Sequence, residues 1–97
     1  MKLSESQIQI LQNFFQDKPV KKVYVFGSYA RGDADENSDI DLLIDWDYSE
    51  AIGLKYFRYL RELTDIFKKK VDFVSEGWVS KGIVSFINKD KVLVYEK

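Results

Sequence analysis

The 97-residue sequence contains no cysteine and no histidine, and it has only one proline. The absence of cysteine excludes disulfides, zinc–thiolate sites and thiol catalysis, and it is compatible with a reducing compartment. The absence of histidine means that no imidazole can serve as a base or a metal ligand. Two common kinds of catalytic chemistry are therefore excluded from the start.

The sequence also lacks an excess of charge and a long apolar run. Fifteen basic side chains face sixteen acidic ones, so the positive excess typical of strong nucleic-acid binding is missing and we expect no nucleic-acid partner. No apolar stretch approaches the roughly 20 residues of a membrane span, and the polar start of the chain does not resemble a secretory signal. We expect a cytoplasmic protein without membrane contact, folded as a single domain over residues 1–97.

Hydrophobic periodicity predicts an α+β fold, with a small mixed β-sheet and flanking helices. A capping box at Ser4 and Gln7 predicts a first helix that ends before Pro19. We expect strands at 23–26, 39–44, 71–74 and 92–95, a short helix at 29–31, and longer helices at 51–67 and 81–88. Because the 51–67 helix is long enough for a crossover, the strands on either side of it should run parallel.

A tight turn follows the first predicted strand at Gly27-Ser28. Glycine allows the backbone to turn sharply and to approach a ligand closely. The short helix that follows begins with amides that lack partners within the helix, which is a suitable arrangement for an anion such as phosphate. We interpret this turn as a candidate triphosphate-binding site.

Two carboxylates, Asp39 and Asp41, lie two residues apart at the start of the next strand. Residues at this spacing point to the same face, with Cα atoms about 6.6 Å apart. Carboxylate pairs of this kind are typical ligands of Mg²⁺, whose remaining positions are filled by water and phosphate oxygens. We predict that Asp39 and Asp41 bind metal beside the anion-binding turn.

A two-metal displacement needs a third acid, for which the sequence offers Asp45 and Asp72. Asp45 shares the face of Asp41 but lies about 13 Å further along the strand, which is too far to join the same metals. Asp72 interrupts an apolar strand, where an unpaired acid is costly. We therefore choose Asp72 as the third ligand of one or two Mg²⁺ ions.

A calcium loop is the nearest alternative, because Asp33, Asp35, Asn37, Asp39 and Asp41 occupy alternate positions of an EF-hand frame. That frame fails where it requires glycine and where it requires a bidentate glutamate, since Ser38 and Ile44 stand there. The residues before Ser38 are better explained as a solvated acidic turn.

Three other features have both a structural and a functional interpretation. Arg31 can form a surface ion pair or contact a nucleotide phosphate. The run Lys68-Lys69-Lys70 is expected to complement the dipole at a helix C-terminus, with an acidic partner surface as the alternative. Trp78 is expected to pack as a lid, whereas exposure of Trp46 or Trp78 would indicate a protein interface.

The combined motif resembles the minimal nucleotidyltransferase family of the DNA polymerase β-like superfamily. The resemblance rests on Gly27-Ser28, Ala30-Arg31-Gly32, Ser38-Asp39-Ile40-Asp41 and the later strand residue Asp72. It implies that Gly27 and Ser28 contact the triphosphate, with Arg31 as a further nucleotide contact. It also implies that Asp39, Asp41 and Asp72 are the catalytic metal ligands, and that the chain has the polymerase β-like fold.

The chain is especially similar to the family's antitoxins, which are encoded beside HEPN-domain toxins and transfer AMP from ATP to a toxin tyrosine. The resemblance therefore implies ATP as substrate and a HEPN-type toxin as partner. A short chain without a separate acceptor domain must take much of its acceptor-binding surface from that partner. Two alternatives stay open: a non-catalytic, nucleotide-binding antitoxin, and a nucleotidyltransferase acting on RNA or a small molecule.

Overall fold

The computed structural model describes all 97 residues, which form four helices and four strands in strict alternation along the chain. The helices are α1 (Glu5–Phe15), α2 (Ser28–Arg31), α3 (Lys55–Phe67) and α4 (Lys81–Asp90), and the strands are β1 (Val20–Phe26), β2 (Ile40–Trp46), β3 (Val71–Ser75) and β4 (Val92–Glu96). No helix is both long enough and apolar enough to span a membrane.

The first helix begins where its capping box predicts. The Ser4 hydroxyl accepts a hydrogen bond from the Gln7 backbone N–H at 3.1 Å, and the Gln7 side-chain oxygen accepts one from the Ser4 N–H at 2.8 Å. Two backbone donors that the helix cannot satisfy internally are thereby paired. This end of α1 is therefore specified by local sequence.

The four strands form one mixed sheet in the order β3-β2-β1-β4. The β1 strand pairs antiparallel with β2 and β4, whereas β2 and β3 are parallel. The parallel pair is the one that the predicted crossover helix required. The expected α+β class and small mixed sheet with flanking helices are confirmed.

The crossover helix is shorter than predicted, beginning at Lys55 rather than at residue 51. Gly53 has a φ of +50°, which a right-handed helix cannot contain. Leu54 and the residues before it instead form turns, with hydrogen bonds from Lys55 to Ile52 and from Tyr56 to Gly53. The helical spacing of apolar residues extends through residues 51–54, but their backbone is not helical.

The main core lies on one face of the sheet, against α1 and α3. Aromatic rings join these elements: Phe14 lies edge-on to Tyr59 of α3 at 6.2 Å between centroids, and Phe15 lies 6.3 Å from Phe73 of β3. On β2 the fully buried residues of this core alternate along the strand, and they are Ile40, Leu42, Ile44 and Trp46. Asp41 therefore projects from the opposite face, because neighbouring side chains of a strand alternate.

Candidate active site

The turn after β1 has a backbone conformation that requires glycine. Gly27 has φ +75° and ψ −149°, and its carbonyl accepts hydrogen bonds from the N–H groups of Ala30 and Arg31, both at 3.0 Å. Residues with side chains rarely adopt these angles. The sequence prediction of a tight turn leading into a short helix is confirmed, with α2 beginning at Ser28.

The same turn lies directly against Asp41. A Cβ atom added at Gly27 would lie 2.5 Å from Oδ2 of Asp41, which is closer than real Cβ contacts allow. The contact arises because Phe26, the last residue of β1, is the cross-strand partner of Asp41. The candidate phosphate turn and the candidate metal ligands therefore form one continuous site.

The three predicted acids are brought to the same end of the β2–β3 pair. Asp39 immediately precedes β2, and Asp41 is directly opposite Asp72 in the parallel register. By contrast, Asp45 lies opposite Lys22 of β1, four residues beyond Asp41. The geometry therefore places Asp72, and not Asp45, beside the first two carboxylates.

The position of Asp41 is electrostatically costly. Burial raises the pKa of its carboxyl to about 6, and the neighbouring charges of Asp72 and Asp39 add to this increase. The positive charges of Lys70 and Arg31 oppose it only in part. A bound cation would reduce the repulsion among these carboxylates and would stabilise the charged form of Asp41.

The donor chemistry fits Mg²⁺, since all three candidate ligands are carboxylates and therefore hard oxygen donors. Nevertheless, no three acidic side chains lie at metal-ligating spacing in this structure. Instead, Nζ of Lys70 lies 4.0 Å from a carboxylate oxygen of Asp39 and 3.9 Å from one of Asp72. The side chains of the site would have to rotate to converge on a metal ion.

The interpretation of the lysine run as a helix-dipole feature is wrong for Lys69 and Lys70. Helix α3 ends at Phe67 with no basic residue in its last turn, and Lys68 adopts a left-handed conformation with φ +55°. Lys69 instead donates hydrogen bonds to the Tyr29 hydroxyl and to the Ser38 carbonyl, the latter at 3.2 Å. It thereby joins α2 to the residue before Asp39.

Sequence reasoning missed Lys70 as a neighbour of the acids, although a usable pattern was present. Lys70 and Asp72 are two residues apart at the start of a strand, so they share a face. Lys70 therefore contacts acidic side chains of its own chain. An acidic surface on a partner protein stays a prediction for the lysine run.

Arg31 forms the surface ion pairs that one of its two interpretations predicted. Its guanidinium lies 3.3 Å from Asp33 and 3.4 Å from Asp90, and the hydrogen bond to Asp33 is the main cause of a raised pKa. These contacts leave the phosphate role of Arg31, like the roles of Gly27 and Ser28, as a prediction.

The acidic loop after α2 forms a local turn rather than a calcium site. The Asp35 carboxylate accepts the Asn37 N–H at 2.9 Å, and the Ser38 hydroxyl accepts the Asp35 N–H at 2.9 Å. The side chains of Asp35 and Ser38 thus bind the backbone of their own loop, which agrees with the interpretation as an acidic turn.

The two tryptophans have opposite environments. Trp46 is buried, whereas Trp78 is 79% exposed and donates its indole N–H to the exposed Tyr48 hydroxyl at 2.9 Å. The expectation that Trp78 packs as a lid is therefore wrong, because the Gly77 turn with φ +92° leads it away from the core. Together with Phe57, these side chains line an open, mostly apolar groove of about 340 Å³.

Comparison with known proteins decides the family. The model of the family described as "Polymerase beta, Nucleotidyltransferase" matches residues 9–97, which is nearly the whole chain. The chain belongs to this nucleotidyltransferase family. The resemblance seen in the sequence motif and the expected enzyme class are confirmed.

This nucleotidyltransferase is similar in sequence to a protein adenylyltransferase. It is 33% identical over 75 residues to the protein adenylyltransferase MntA of Thermococcus cleftensis, a match that covers 77% of this chain and 75% of the relative.

Two solved structures share its fold at lower identity. One is a toxin–antitoxin crystal structure with AMP-PNP, with a TM-score of 0.78 at 18% identity, covering 93% of this chain and 73% of the other. The second is a complex of a tri-AMPylated Shewanella oneidensis HEPN toxin with an MNT antitoxin. It has a TM-score of 0.70 at 15% identity, and the match covers 93% of this chain and 70% of the other.

Proposed function

We propose that this nucleotidyltransferase transfers AMP from ATP to a hydroxyl group of a partner protein and so acts as an antitoxin. The acceptor is a tyrosine of a HEPN-type toxin. The observation that carries the proposal is the contact between the Gly27 turn and Asp41, with Asp39 and Asp72 at the same end of the sheet. A phosphate-binding turn beside three acids is the arrangement that metal-assisted nucleotidyl transfer requires.

Different residues of the site bind different parts of ATP and its metal ion. The backbone and hydroxyl at Gly27 and Ser28 hold the β and γ phosphates, and Asp39 and Asp41 are the residues that would hold Mg²⁺. One or two bound Mg²⁺ ions would neutralise charge on the phosphates and on the attacking and leaving oxygens. Arg31 exchanges a surface carboxylate for a phosphate oxygen when nucleotide binds.

Asp72 orients the acceptor hydroxyl and takes part in removing its proton, either as a base or as a metal ligand. The hydroxyl oxygen forms a bond to the α phosphorus as the bond to the bridging oxygen of pyrophosphate breaks. Pyrophosphate is the leaving group and takes the electron pair of the broken bond. The hydroxyl proton passes to Asp72 or to solvent. The products are an AMP-modified side chain and pyrophosphate.

Names and surfaces support the choice of a protein acceptor. A relative at 33% identity is named a protein adenylyltransferase, and one fold neighbour comes from a complex of a HEPN toxin with an MNT antitoxin. The chain also exposes Trp78, Phe57 and Leu54, and large exposed apolar side chains are typical of protein interfaces. A near-neutral net charge gives less support to an RNA acceptor.

The direct test is label transfer with the full chain, Mg²⁺, a HEPN-type protein encoded beside it, and ATP labelled on the α phosphate. We expect covalent label on the partner at a tyrosine, and no transfer by a variant carrying both Asp39→Asn and Asp41→Asn. Label from the γ phosphate alone would identify a kinase-like reaction instead. Neutralisation of the partner by that same variant, with no label transferred, would support the non-catalytic antitoxin.

A parallel assay replaces the partner protein with RNA or small hydroxyl compounds. Efficient transfer to these acceptors, with none to protein, would support the remaining alternative. Because all assays share the same donor and metal, the comparison isolates the identity of the acceptor.

A further inference from the structure

Lys70 occupies a position between two of the candidate metal ligands. Its ammonium nitrogen lies 4.0 Å from the Asp39 carboxylate and 3.9 Å from the Asp72 carboxylate. A cation supplied by the chain itself therefore lies between two acids that would otherwise repel each other.

This placement is set by the backbone. The Lys70 carbonyl accepts a hydrogen bond from the Ile40 N–H at 3.0 Å, and Ile40 stands between Asp39 and Asp41 in the sequence. The next residue, Val71, is the register partner of Ile40. Since Lys70 and Asp72 are two residues apart on an extended segment, their side chains share a face.

The two ion pairs are open to exchange. The Lys70 side chain is 69% exposed, and both distances lie at the long end of ion-pair contacts. Exposed pairs of this kind are weak, so a stronger ligand readily displaces either partner. A divalent cation would compete with the ammonium for the carboxylates, and a triphosphate would compete with the carboxylates for the ammonium.

We propose that Lys70 is a further residue of the nucleotide site: it pairs with Asp39 and Asp72 in the free chain and passes to the phosphate oxygens when metal and nucleotide bind. This inference rests on the proposed function, because it needs Asp39 and Asp72 to be metal ligands. It predicts effects of opposite sign on two binding reactions, which a merely structural role would not produce.

The first measurement is the affinity of the full chain for Mn²⁺ without nucleotide. Electron paramagnetic resonance at low salt is used to detect the bound Mn²⁺. Lys70→Met removes the competing cation, so we expect Mn²⁺ to bind about 5-fold more tightly than to the unchanged chain. Lys70→Arg keeps the charge and should stay close to the unchanged chain.

The second measurement is calorimetric binding of ATP carrying a methylene bridge between its α and β phosphates, at saturating Mg²⁺. This analogue cannot be cleaved at the reacting bond. A triphosphate offers Lys70 more negative charge than the two carboxylates it leaves, so Lys70→Met should bind the analogue about 5-fold more weakly.

Lys68→Met is the matched control. It removes the same charge two residues away, from a side chain that forms no ion pair in the structure. We expect both affinities to stay within about twofold of the unchanged chain, because separated surface charges are screened.

The outcomes separate this inference from the function on which it rests. Unchanged or weaker Mn²⁺ binding in Lys70→Met would overturn the inference. Tighter Mn²⁺ binding with unchanged or tighter analogue binding would also overturn it, because Lys70 would then be only a counter-ion. If the unchanged chain bound neither Mn²⁺ nor the analogue, the proposed function itself would fail.

Discussion

Asp41 of β2 and Asp72 of β3 lie directly opposite each other on neighbouring parallel strands. Burial is the main cause of the raised pKa of Asp41, about 6, and the charge of Asp72 is the next. Like charges on adjacent strands destabilise a fold unless a cation shares them. This pair therefore links the stability of the chain to its proposed chemistry.

The free energy of unfolding of the metal-free chain should decrease as the pH rises, because of Asp41. Its pKa in the folded chain, about 6, lies above the ordinary aspartate value of 3.8 that is expected in the unfolded chain. The folded chain thus holds this proton more tightly, and the resulting stabilisation is complete below the unfolded value and lost as the pH rises through about 6. Asp41→Asn should remove this pH dependence.

Thermal unfolding, monitored by circular dichroism at several pH values, would measure this pH dependence. We expect the melting temperature of Asp41→Asn to exceed that of the unchanged chain by about 4 °C at neutral pH, after allowance for partial exposure, and the difference to vanish in acid. Asp45→Asn, on the same strand, is the control. A constant difference at every pH would contradict the assignment to Asp41.

Gly27→Ala should abolish nucleotide binding and destabilise the fold by about 1–3 kcal/mol. It forces a side chain into a φ of +75° and into contact with the Asp41 carboxylate. Gly77→Ala separates the two causes, since Gly77 has φ +92° but open space around its Cβ position. Denaturant unfolding and calorimetry should show a loss of stability in both variants but a loss of nucleotide binding only at Gly27.

Asp72→Asn should lower the rate of AMP transfer by at least ~10³ while reducing ATP affinity much less. Asp39 and Asp41 would still hold the metal–nucleotide complex in this variant. Asp45→Asn removes the same charge from β2 and should leave the rate nearly unchanged. A larger kinetic loss at Asp45 than at Asp72 would reverse the choice of third acid.

The two roles of Arg31 can be separated by a pair of variants. Arg31→Gln removes both its ion pairs and any phosphate contact, whereas Asp90→Asn removes only the ion pair to α4. If Arg31 contacts phosphate, the first variant should bind ATP about 10-fold more weakly and the second should bind it normally. Equal effects of the two variants would mean that Arg31 acts only through its surface pair.

Most of the secondary structure was predictable because local sequence specifies it. The Ser4 cap, the Gly27 turn and the alternation of Ile40 with Asp41 each act within a few residues. The main error was the start of α3, where apolar periodicity extended to residue 51 but Gly53 adopts a left-handed conformation. Periodicity records which side chains are buried, and it does not record the backbone angles between them.

The acid positions were also predictable, but their arrangement was not. Spacing alone placed Asp39 and Asp41 on one face, and the crossover length made a parallel Asp72 strand plausible. The register that sets Asp72 opposite Asp41 depends on how the whole sheet packs. The contacts of Lys69 with Tyr29 and of Lys70 with Asp39 join segments at least 31 residues apart, and local patterns do not encode contacts at that range.

By itself, the sequence determined the kinds of chemistry available to this chain: no thiol, no imidazole, one glycine turn and three well-spaced acids. These properties depend on composition and short-range spacing. Only the tertiary structure decided that the turn touches Asp41, that Asp72 joins the site, and that Lys70 lies among the acids. Those relationships depend on strand pairing and on a buried core, through which distant segments are brought within a few ångströms of one another.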